Sequence, residues 1–426
     1  MRLPFLALVV LTACTPDPVT STTNGPDATD TGPTSIRDTA EPTDTIDATD
    51  ELQQLIAGDR DAAEVVPAVA WADGWPLDDG DTTWFVHLAS EGSWSVAGDF
   101  NDWTPEPMTQ GNGFWYLGVD DDLAPGTGYK FVRDNTDWIA DPFARSYQYD
   151  AYGELSYAVP PTDIPHLERW PNLVGQNLAP REVVVYVPPG DGPFDVLYAH
   201  DGQNLFDPVA IWGGWRLGEV LPSTPDVMVV GLFNTPDRMN EYTHVDDFVL
   251  GYDFLATGDD YAALVHEDLR PHIEGVYPTS GHDGLMGSSL GGLISLHIAQ
   301  TYPGEYDFVA SLSGTLGWGR FEYDNPTMEE RWLGATPDDI VVYVDSGGSP
   351  GPDGRCDDLD GDGFPEDDPD ASDNFCTTRQ FADALAANGF AWDDTLFHWH
   401  EAMAPHQENA WAERVFRPLQ LFVEAR

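Results

Sequence analysis

One short segment of the chain has the residue types and spacing of a nucleophilic serine. The segment reads Gly287-Ser288-Ser289-Leu290-Gly291, and it lies between an apolar run that predicts a strand and a longer run that predicts a helix. In a G-x-S-x-G turn, small neighbours permit a sharp strand-to-helix bend, and the helix N-terminus presents backbone N–H groups to an attacked carbonyl. Ser289 is therefore the predicted nucleophile.

A serine hydroxyl is a weak nucleophile without a base, and in chains with this turn an acid and then a histidine follow the serine. Of the 11 histidines, His406 is the predicted base, because it lies in a loop between the last predicted strand and the last predicted helix. The alternatives are His398 and His400, which alternate along the preceding strand, and His282 and His200 elsewhere.

The predicted acid is Asp373, which immediately precedes a predicted helix. Its role would be to fix the tautomer of His406 and to stabilise the imidazolium that forms during catalysis. Asp345, at the end of a predicted strand, and Asp353, in the acidic insertion that follows it, remain alternatives. No cofactor is expected for this chemistry.

The acidic insertion, residues 349–373, contains a possible cation site. Asp358, Asp360 and Asp362 alternate around Gly361, as oxygen ligands do at the start of a calcium loop. The twelfth position is Pro369 instead of the usual glutamate, so other carboxylates would have to close the shell: Glu366, Asp367, Asp368 or Asp370. The sequence predicts a structural Ca²⁺, with a solvated acidic loop as the alternative.

The N-terminus has the pattern of an export signal. One positive charge, a short apolar run and small residues precede Cys14, and the run is too short to cross a bilayer as a helix. The segment Leu11-Thr12-Ala13-Cys14 resembles the lipobox of bacterial lipoproteins, which implies cleavage before Cys14 and lipid on its sulfur. An ordinary secretory signal is the alternative. We expect a lipid-anchored protein of the cell envelope, at the outer membrane or cell surface, with no other membrane attachment.

Two further cysteines, Cys356 and Cys376, are 20 positions apart. In an exported chain an even pair of this kind predicts a disulfide, although two buried free thiols remain possible. The bridge would close the base of the acidic insertion and hold Asp373 in place.

Composition excludes some classes of function. The 426 residues include 74 Asp and Glu against 18 Lys and Arg, a formal net charge of −56, which would repel nucleic acids. With 41% hydrophobic residues, the chain can form a large core.

The sequence predicts a signal and a disordered segment at the N-terminus, followed by two folded regions. Residues 1–13 are the signal, 14–72 a disordered Thr-, Asp- and Pro-rich tether, 73–162 a small β-sandwich with short strands between turns, and 163–426 an α/β domain. In the last region, near-continuous apolar strands alternate with amphipathic helices, which indicates a doubly wound, mostly parallel sheet.

The β-sandwich region is similar to the immunoglobulin-like early-set domains of glycogen- and starch-active enzymes. The similarity is carried by the segments 97–103, 128–132 and 138–142. It implies that Trp103, Lys130 and Trp138 match the positions that bind sugar in glycogen-binding relatives. The segment 151–157 lacks the asparagine of those binders, so a structural or cleft-forming role is the alternative.

The α/β region resembles the esterase D family of α/β-hydrolases, which includes enterochelin, feruloyl and acetyl-xylan esterases. The resemblance rests on the segments 198–206 and 234–242, the serine turn, and His406 with Glu408, Trp411 and Arg414. It implies an α/β-hydrolase fold, with oxyanion N–H groups from Leu290 and from Gly202 or Gln203. It also implies that Arg238 lies beside the cleft as a substrate-binding residue and forms a structural ion pair with Glu241. The acidic insertion departs from the family pattern.

These observations predict an exported serine esterase that acts on acyl or aryl esters of carbohydrates, through an acyl-enzyme. Its partners would be a small-molecule or polysaccharide ester and, through the lipid anchor, the membrane. One alternative is a siderophore ester hydrolase, although an anionic ferric siderophore fits poorly with a charge of −56. Another is a non-catalytic, glucan-binding surface lipoprotein.

Overall fold

The computed structural model describes residues 46–119, 123–334, 340–351, 353–359, 361 and 363–426. The predicted signal, Cys14 and the first part of the predicted tether lie outside the described residues. The strands are β1 Leu77–Asp78, β2 Thr83–Leu88, β3 Trp94–Gly98, β4 Glu106–Pro107, β5 Thr109–Gln110, β6 Phe114–Val119, β7 Gly128–Arg133, β8 Asp137–Ile139, β9 Ser146–Asp150, β10 Gly153–Tyr157, β11 His166–Leu173, β12 Arg181–Val187, β13 Phe194–His200, β14 Val227–Leu232, β15 Asp247–Val249, β16 Tyr252–Phe254, β17 Thr279–Ser288, β18 Phe308–Leu312, β19 Val341–Ser346 and β20 Leu396–His400.

Six parallel strands, in the order β20-β19-β18-β17-β13-β14, form one half of a 14-stranded sheet. Most of their side chains are buried, as expected for parallel strands that are covered on both faces. The main exceptions are the start of β17 and the edge strand β20, where Leu396 alone is fully buried. The register pairs Ser288 with Leu312 and Leu312 with Asp345. The carboxyl ends of β17, β18 and β19 therefore lie side by side, and the loops that follow them meet at one edge of the sheet.

Helices cover both faces of this parallel half, as the sequence predicts for a mostly parallel α/β sheet. The α-helices after residue 200 are α3 Leu217–Val220, α4 Arg238–Glu241, α5 Gly258–Ala263, α6 Arg270–Val276, α7 Leu290–Thr301, α8 Met328–Trp332, α9 Phe375–Ala387, α10 Glu408–Ala412 and α11 Phe416–Glu424. Two further helices, α1 Ala48–Ala57 and α2 Ala62–Ala72, pack in the N-terminal region instead. Helix α7 is buried from Leu290 to Ala299, which agrees with its apolar residues on every side. It holds the residue after Ser289 rigidly in the core.

The large sheet continues through antiparallel strands into the N-terminal region. Strand β11 pairs with β12 on one side and β9 on the other, so the sheet runs across the predicted boundary between residues 162 and 163. A separate four-stranded sheet, β1-β2-β6-β5, packs on the far end of the large sheet. The residues between them include Phe85, Trp94, Val96, Tyr129 and Phe131. An immunoglobulin-like topology for this sandwich stays a prediction.

The prediction of a disordered tether over residues 14–72 is wrong for residues 46–72. Helices α1 and α2 form there, and the side chains of Asp47 and Asp61 cap them by accepting backbone N–H bonds. Their Leu and Val side chains pack with Trp75 and Phe114 in one core cluster. The apolar residues at helical spacing can bury enough surface to order this stretch, whereas the Thr- and Pro-rich part before it has almost none.

The acidic insertion is closed by the predicted disulfide between Cys356 and Cys376, whose Cα atoms are 5.4 Å apart. Asp360 and Asp362, two of the predicted calcium ligands, lie outside the described residues. In the part of the chain that the structure describes, no helix combines the length and apolarity that crossing a bilayer would require.

Candidate active site

Ser289 lies at the turn between β17 and α7, with backbone angles of φ 56° and ψ −123°. Such angles are strained for a residue with a side chain, and a strained residue at a strand-to-helix turn is typical of an exposed nucleophile. The Ser289 N–H donates to the carbonyl of Leu312 at 2.9 Å, which fixes the turn on the neighbouring strand. A Cβ on Gly287 would run into the backbone of Gly291, so this position requires glycine.

His406 and Asp373 lie in direct contact. Their Nδ1 and Oδ1 atoms are 2.6 Å apart, and both side chains are buried. A carboxylate at Nδ1 favours the tautomer with the proton on that nitrogen, which leaves Nε2 able to accept a proton. The structure thus brings together the predicted base and the predicted acid, 33 residues apart in sequence.

The second oxygen of Asp373 is held by three donors. Oδ2 accepts from Ser313 Oγ at 2.7 Å, from the Gly347 N–H at 2.5 Å and from Arg414 Nη2 at 3.4 Å. Ser313 Oγ itself accepts from Trp411 Nε1 and Arg414 Nη2, at 3.0 and 2.6 Å. Asp373 is therefore fixed in one orientation by residues from three separate segments.

Two residues that hold Asp373 in place are not predicted in this role from the sequence: Ser313, which binds its side chain, and Asp367, which binds its backbone. Ser313 follows β18 with a positive φ of 50°, and its position after the strand beside β17 is the signal that could have drawn attention to it. The Asp367 carboxylate accepts the backbone N–H groups of Asp373, Phe375 and Cys376, at 2.8 to 3.0 Å. It fixes the backbone of Asp373 where α9 begins.

The other predicted acids have different partners. Asp345 binds Arg414 Nε at 3.0 Å and accepts from Tyr343 Oη at 2.9 Å. Burial raises the pKa of Asp345 to about 6, and the Arg414 charge opposes that rise. Asp353 forms a surface ion pair with Arg355. Of the three acids, Asp373 is the one in contact with His406.

The other candidate histidines are held elsewhere. His282 binds Asp307 and the Phe422 carbonyl, and His400 binds the Gly348 carbonyl. His200 contacts Tyr261 Oη at 2.9 Å, and burial lowers its pKa to about 3. His398 is half-buried, and burial lowers its pKa to about 4. Among the described residues, none of these four hydrogen-bonds to Asp373 or Ser289.

Ser289 Oγ lies 3.4 Å from Thr315 Oγ1, and within the described residues it makes no hydrogen bond to His406. Nucleophile–base bonds are often long before substrate binds. The two residues are linked indirectly, because Ser289 is fixed to β18 and Ser313, at the end of β18, holds Asp373.

The turn with the predicted oxyanion donors Gly202 and Gln203 packs against the serine turn. It follows β13, the neighbour of β17, and a Cβ on Gly291 would lie 3.2 Å from Asp201 Oδ2. Gln203 Oε1 accepts the N–H of Asn234 at 3.2 Å. Leu290, the other predicted donor, is the first residue of α7.

The predicted ion pair between Arg238 and Glu241 is wrong. Arg238 binds both oxygens of Asp201, each at 2.7 Å, and Glu241 pairs with Arg181 at 2.9 Å. Arg181 projects from β12 and reaches Glu241 in the core, whereas Arg238 faces the end of β13. Burial acts to raise the pKa of Asp201, but the Arg238 charge together with hydrogen bonds from Arg238 and Asn234 outweighs burial, and the net shift is downward. Arg238 thus holds the turn that contains the predicted oxyanion donors.

Comparison with known proteins identifies the family. The family model described as "Putative esterase" matches residues 178–421, more than half of the 426 residues. The chain belongs to this esterase family. "Uncharacterized protein YbbA" of Bacillus subtilis (strain 168) is 26% identical to this esterase over 187 residues, which are 40% of this chain and 69% of that protein.

Solved structures with a similar fold include two hydrolases. The IroE-like serine hydrolase from Shewanella oneidensis has a TM-score of 0.46 at 21% identity, over 60% of this chain and 80% of that one. The enterobactin esterase from Shigella flexneri has a TM-score of 0.44 at 16% identity, over 83% of this chain and 96% of that one.

A cavity of about 870 Å³ lies next to the His406 loop of this esterase. It is lined by Ala404 and Pro405, which precede His406, and by Trp212. The polar lining residues are Arg216, Glu401, Asn409 and Glu413, and Arg216 pairs with Glu413 at 2.9 Å. The cavity therefore offers a ring surface together with carboxylate and amide groups.

In the N-terminal sheets, Trp103 and Trp138 lie close together, with ring centroids 6.2 Å apart and an interplanar angle of 40°. Trp138 is 46% exposed. Lys130 is buried, and its Nζ donates to the carbonyl of Tyr152 at 3.2 Å. The three predicted sugar-binding residues thus lie on neighbouring strands or turns, with an aromatic pair at the surface.

The calcium prediction has one ligand within the described residues, Asp358. Its two oxygens accept the backbone N–H groups of Gly361 and Gly363, at 2.6 and 3.1 Å. No group of three or more metal-binding side chains occurs among the residues the structure describes. Because Asp360 and Asp362 are outside that set, structural calcium stays a prediction.

Proposed function

We propose that this esterase is a serine carboxylic-ester hydrolase with Ser289, His406 and Asp373 as its catalytic residues. The observation that carries the proposal is the 2.6 Å contact between His406 and Asp373 at the sheet edge where the strained Ser289 turn lies. Membership of an esterase family supports ester hydrolysis as the reaction.

In the proposed mechanism His406 Nε2 takes the proton of Ser289 Oγ as the oxygen attacks the ester carbonyl. Asp373 stabilises the imidazolium, and backbone N–H groups of Leu290 and of Gly202 or Gln203 bind the oxyanion. The tetrahedral intermediate collapses, His406 gives its proton to the departing alcohol, and an acyl-Ser289 remains. Water, activated by His406, then releases the acid and restores Ser289.

The test is hydrolysis of short-chain p-nitrophenyl esters by the purified full chain and by Ser289→Ala. We expect the variant to lose at least about 10⁴-fold in kcat, because the nucleophile is removed. Circular dichroism confirms that it is folded, and Ser223→Ala, a surface substitution, serves as the matched control. Equal turnover by wild type and Ser289→Ala would refute the assignment of the nucleophile.

We further propose that the substrate is an acyl or aryl ester of a carbohydrate, with the sugar in the cavity beside His406. Sugars are commonly bound by an aromatic ring face and by hydrogen bonds from carboxylates and amides, and Trp212, Glu401 and Asn409 supply these groups. Arg216 is neutralised by Glu413, so the lining gives little attraction for a strongly anionic siderophore.

Acetylated and feruloylated oligosaccharides, compared with ferric enterobactin, test this substrate class. We expect kcat/KM to be highest for a sugar ester, and Trp212→Ala to raise its KM by about three- to tenfold through lost ring contact. The same variant should leave turnover of p-nitrophenyl acetate unchanged, because that ester lacks the sugar. Preference for ferric enterobactin would favour the siderophore alternative.

The proposed cellular location is the envelope, with lipid on Cys14. The export-like N-terminus and the Cys356–Cys376 disulfide support a site outside the reducing cytoplasm. The exposed Trp103–Trp138 pair supports glucan binding by the N-terminal region. Affinity electrophoresis in glycogen, with Trp138→Ala as the comparison, tests that role independently of ester turnover.

A further inference from the structure

Glu408 is a buried carboxyl at the active site to which the proposed mechanism assigns no role. It is 5% exposed and begins α10, two residues after His406. Its Oε1 accepts from Asn204 Nδ2 at 3.2 Å. Asn204 ends the turn that contains Gly202 and Gln203, so Glu408 joins the His406 segment to the oxyanion turn.

The surroundings of Glu408 do not suit a negative charge. Its Oε2 is buried and has no hydrogen-bond partner among the described residues. A buried carboxylate with a free oxygen is costly, whereas a protonated carboxyl needs fewer donors. The nearby cation, Arg238, is bound through two bonds to Asp201.

The two charged groups from neighbouring segments act on Glu408 in opposite directions, and burial dominates. Burial raises the pKa of Glu408 to about 7; its own backbone N–H opposes the rise, the negative charge of Asp201 adds to it, and Arg238 opposes it. Asp201 lies at the end of β13, Arg238 on α4, and His406 is the titratable group nearest in sequence on the same loop. The carboxyl therefore titrates close to neutral pH.

We infer that Glu408 is a positioning residue that works as an uncharged carboxyl, tying the Gly202–Asn204 turn to the His406 segment. In this form it holds the oxyanion donors in place and puts no negative charge near the oxyanion that develops at Ser289. Ionised Glu408 would repel that oxyanion. The inference rests on the proposed esterase function, which supplies the oxyanion.

The test is the pH dependence of kcat/KM with p-nitrophenyl butyrate, for wild type, Glu408→Gln and Glu408→Ala. We expect wild-type kcat/KM to fall as pH rises above about 7. Glu408→Gln, which is neutral and nearly the same shape, should match wild type within about threefold at pH 6 and lack the alkaline fall. Glu408→Ala should lose about tenfold at pH 6, because the link to Asn204 is gone. Glu424→Gln, an exposed substitution on α11, is the control and should follow the wild-type profile.

Two kinetic results would overturn the inference: the same alkaline fall in wild type and Glu408→Gln, or a wild type whose activity does not fall.

A second measurement, of thermal stability, needs no turnover. If Glu408 is uncharged in the fold, ionising it costs stability, so the melting temperature of Glu408→Gln should exceed that of wild type at pH 8.5 by about 3 °C, and the difference should vanish at about pH 4, below the ordinary pKa of a glutamate in an unfolded chain. A difference independent of pH would contradict the inference, even if no ester were hydrolysed. Lack of any ester turnover by folded wild type would instead refute the proposed function.

Discussion

At the residue scale, Asp373 connects the base to the rest of the site. One of its oxygens binds His406, and the other binds Ser313, Gly347 and Arg414. Asp373→Asn keeps the shape but offers an amide that no longer favours the required tautomer. We expect kcat to fall about 10³- to 10⁴-fold, with a smaller effect on KM. Measured ester turnover checks this, with Asp353→Asn, the surface alternative, expected to match wild type. A large loss in Asp353→Asn instead would reassign the acid.

Substitution of Ser313 should lower both the ester turnover and the stability of the protein. Its hydroxyl donates to Asp373 and accepts from Trp411 and Arg414. Ser313→Ala leaves two buried donors without this acceptor, so we expect a loss of about 1–3 kcal/mol in the free energy of unfolding. We also expect kcat to fall about tenfold, because Asp373 is less well oriented. Urea unfolding and ester turnover measure the two effects, and loss of neither would show that Asp373 is held without Ser313.

The residues of the site that the sequence predicts are those with a local signal. Ser289 lies in a recognisable turn, and His406 and Asp373 lie in loops before helices, in the expected chain order. The position of Ser313 after β18 is a weaker signal, and it does not reveal a partner that is set by tertiary contacts: Ser313 and Asp373 are 60 positions apart. The sequence does not predict the partner of Arg238 for the same reason, since Asp201 lies in the turn after β13, 37 positions away.

At the element scale, the acidic insertion and the start of α9 act as one unit that carries Asp373. The disulfide closes a loop of 20 positions, and Asp367 caps the backbone at its end. Reduction should lower the free energy of unfolding by about 3 kcal/mol, as expected for a loop of this size. It should also lower kcat, because Asp373 loses support. Melting curves and turnover with and without a thiol reductant test this, and the double variant Cys356→Ser with Cys376→Ser should not respond to the reductant.

Strong apolar periodicity predicts the type of a helix or strand correctly. A shift in composition, in contrast, predicts the end of the disordered tether wrongly. The parallel strands and α7 are long buried runs, so their type follows from the pattern alone. The residues of α1 and α2 resemble a continuation of the tether, because they follow a Thr-, Asp- and Pro-rich stretch. Their Leu and Val side chains are ordered by packing with Trp75 and Phe114, a contact that local composition does not reveal.

At the scale of the whole molecule, one continuous sheet links the esterase region to the N-terminal strands. The chain also carries a net charge of −56 and keeps several carboxyls in its interior. Burial raises the pKa of Asp141, Asp283 and Asp345 to about 6 in each case, although neighbouring arginines oppose the rise. As the pH rises, repulsion between surface carboxylates and ionisation of the buried carboxyls therefore both lower the free energy of unfolding.

We expect this protein to be more stable at pH 5.5 than at pH 8. Because these three pKa values are higher in the folded than in the unfolded state, their contribution is fully present below the unfolded pKa and is lost as pH rises through about 6. The gain at pH 5.5 should be about 2 kcal/mol, or about 2 °C in the melting temperature of a chain this long. Calorimetry at low and high salt separates the two causes: salt should raise the melting temperature at pH 8 by screening surface charge, while the buried groups respond little. Asp141→Asn should flatten the pH dependence. A melting temperature that rises from pH 5.5 to pH 8 would show that these carboxyls are ionised in the fold.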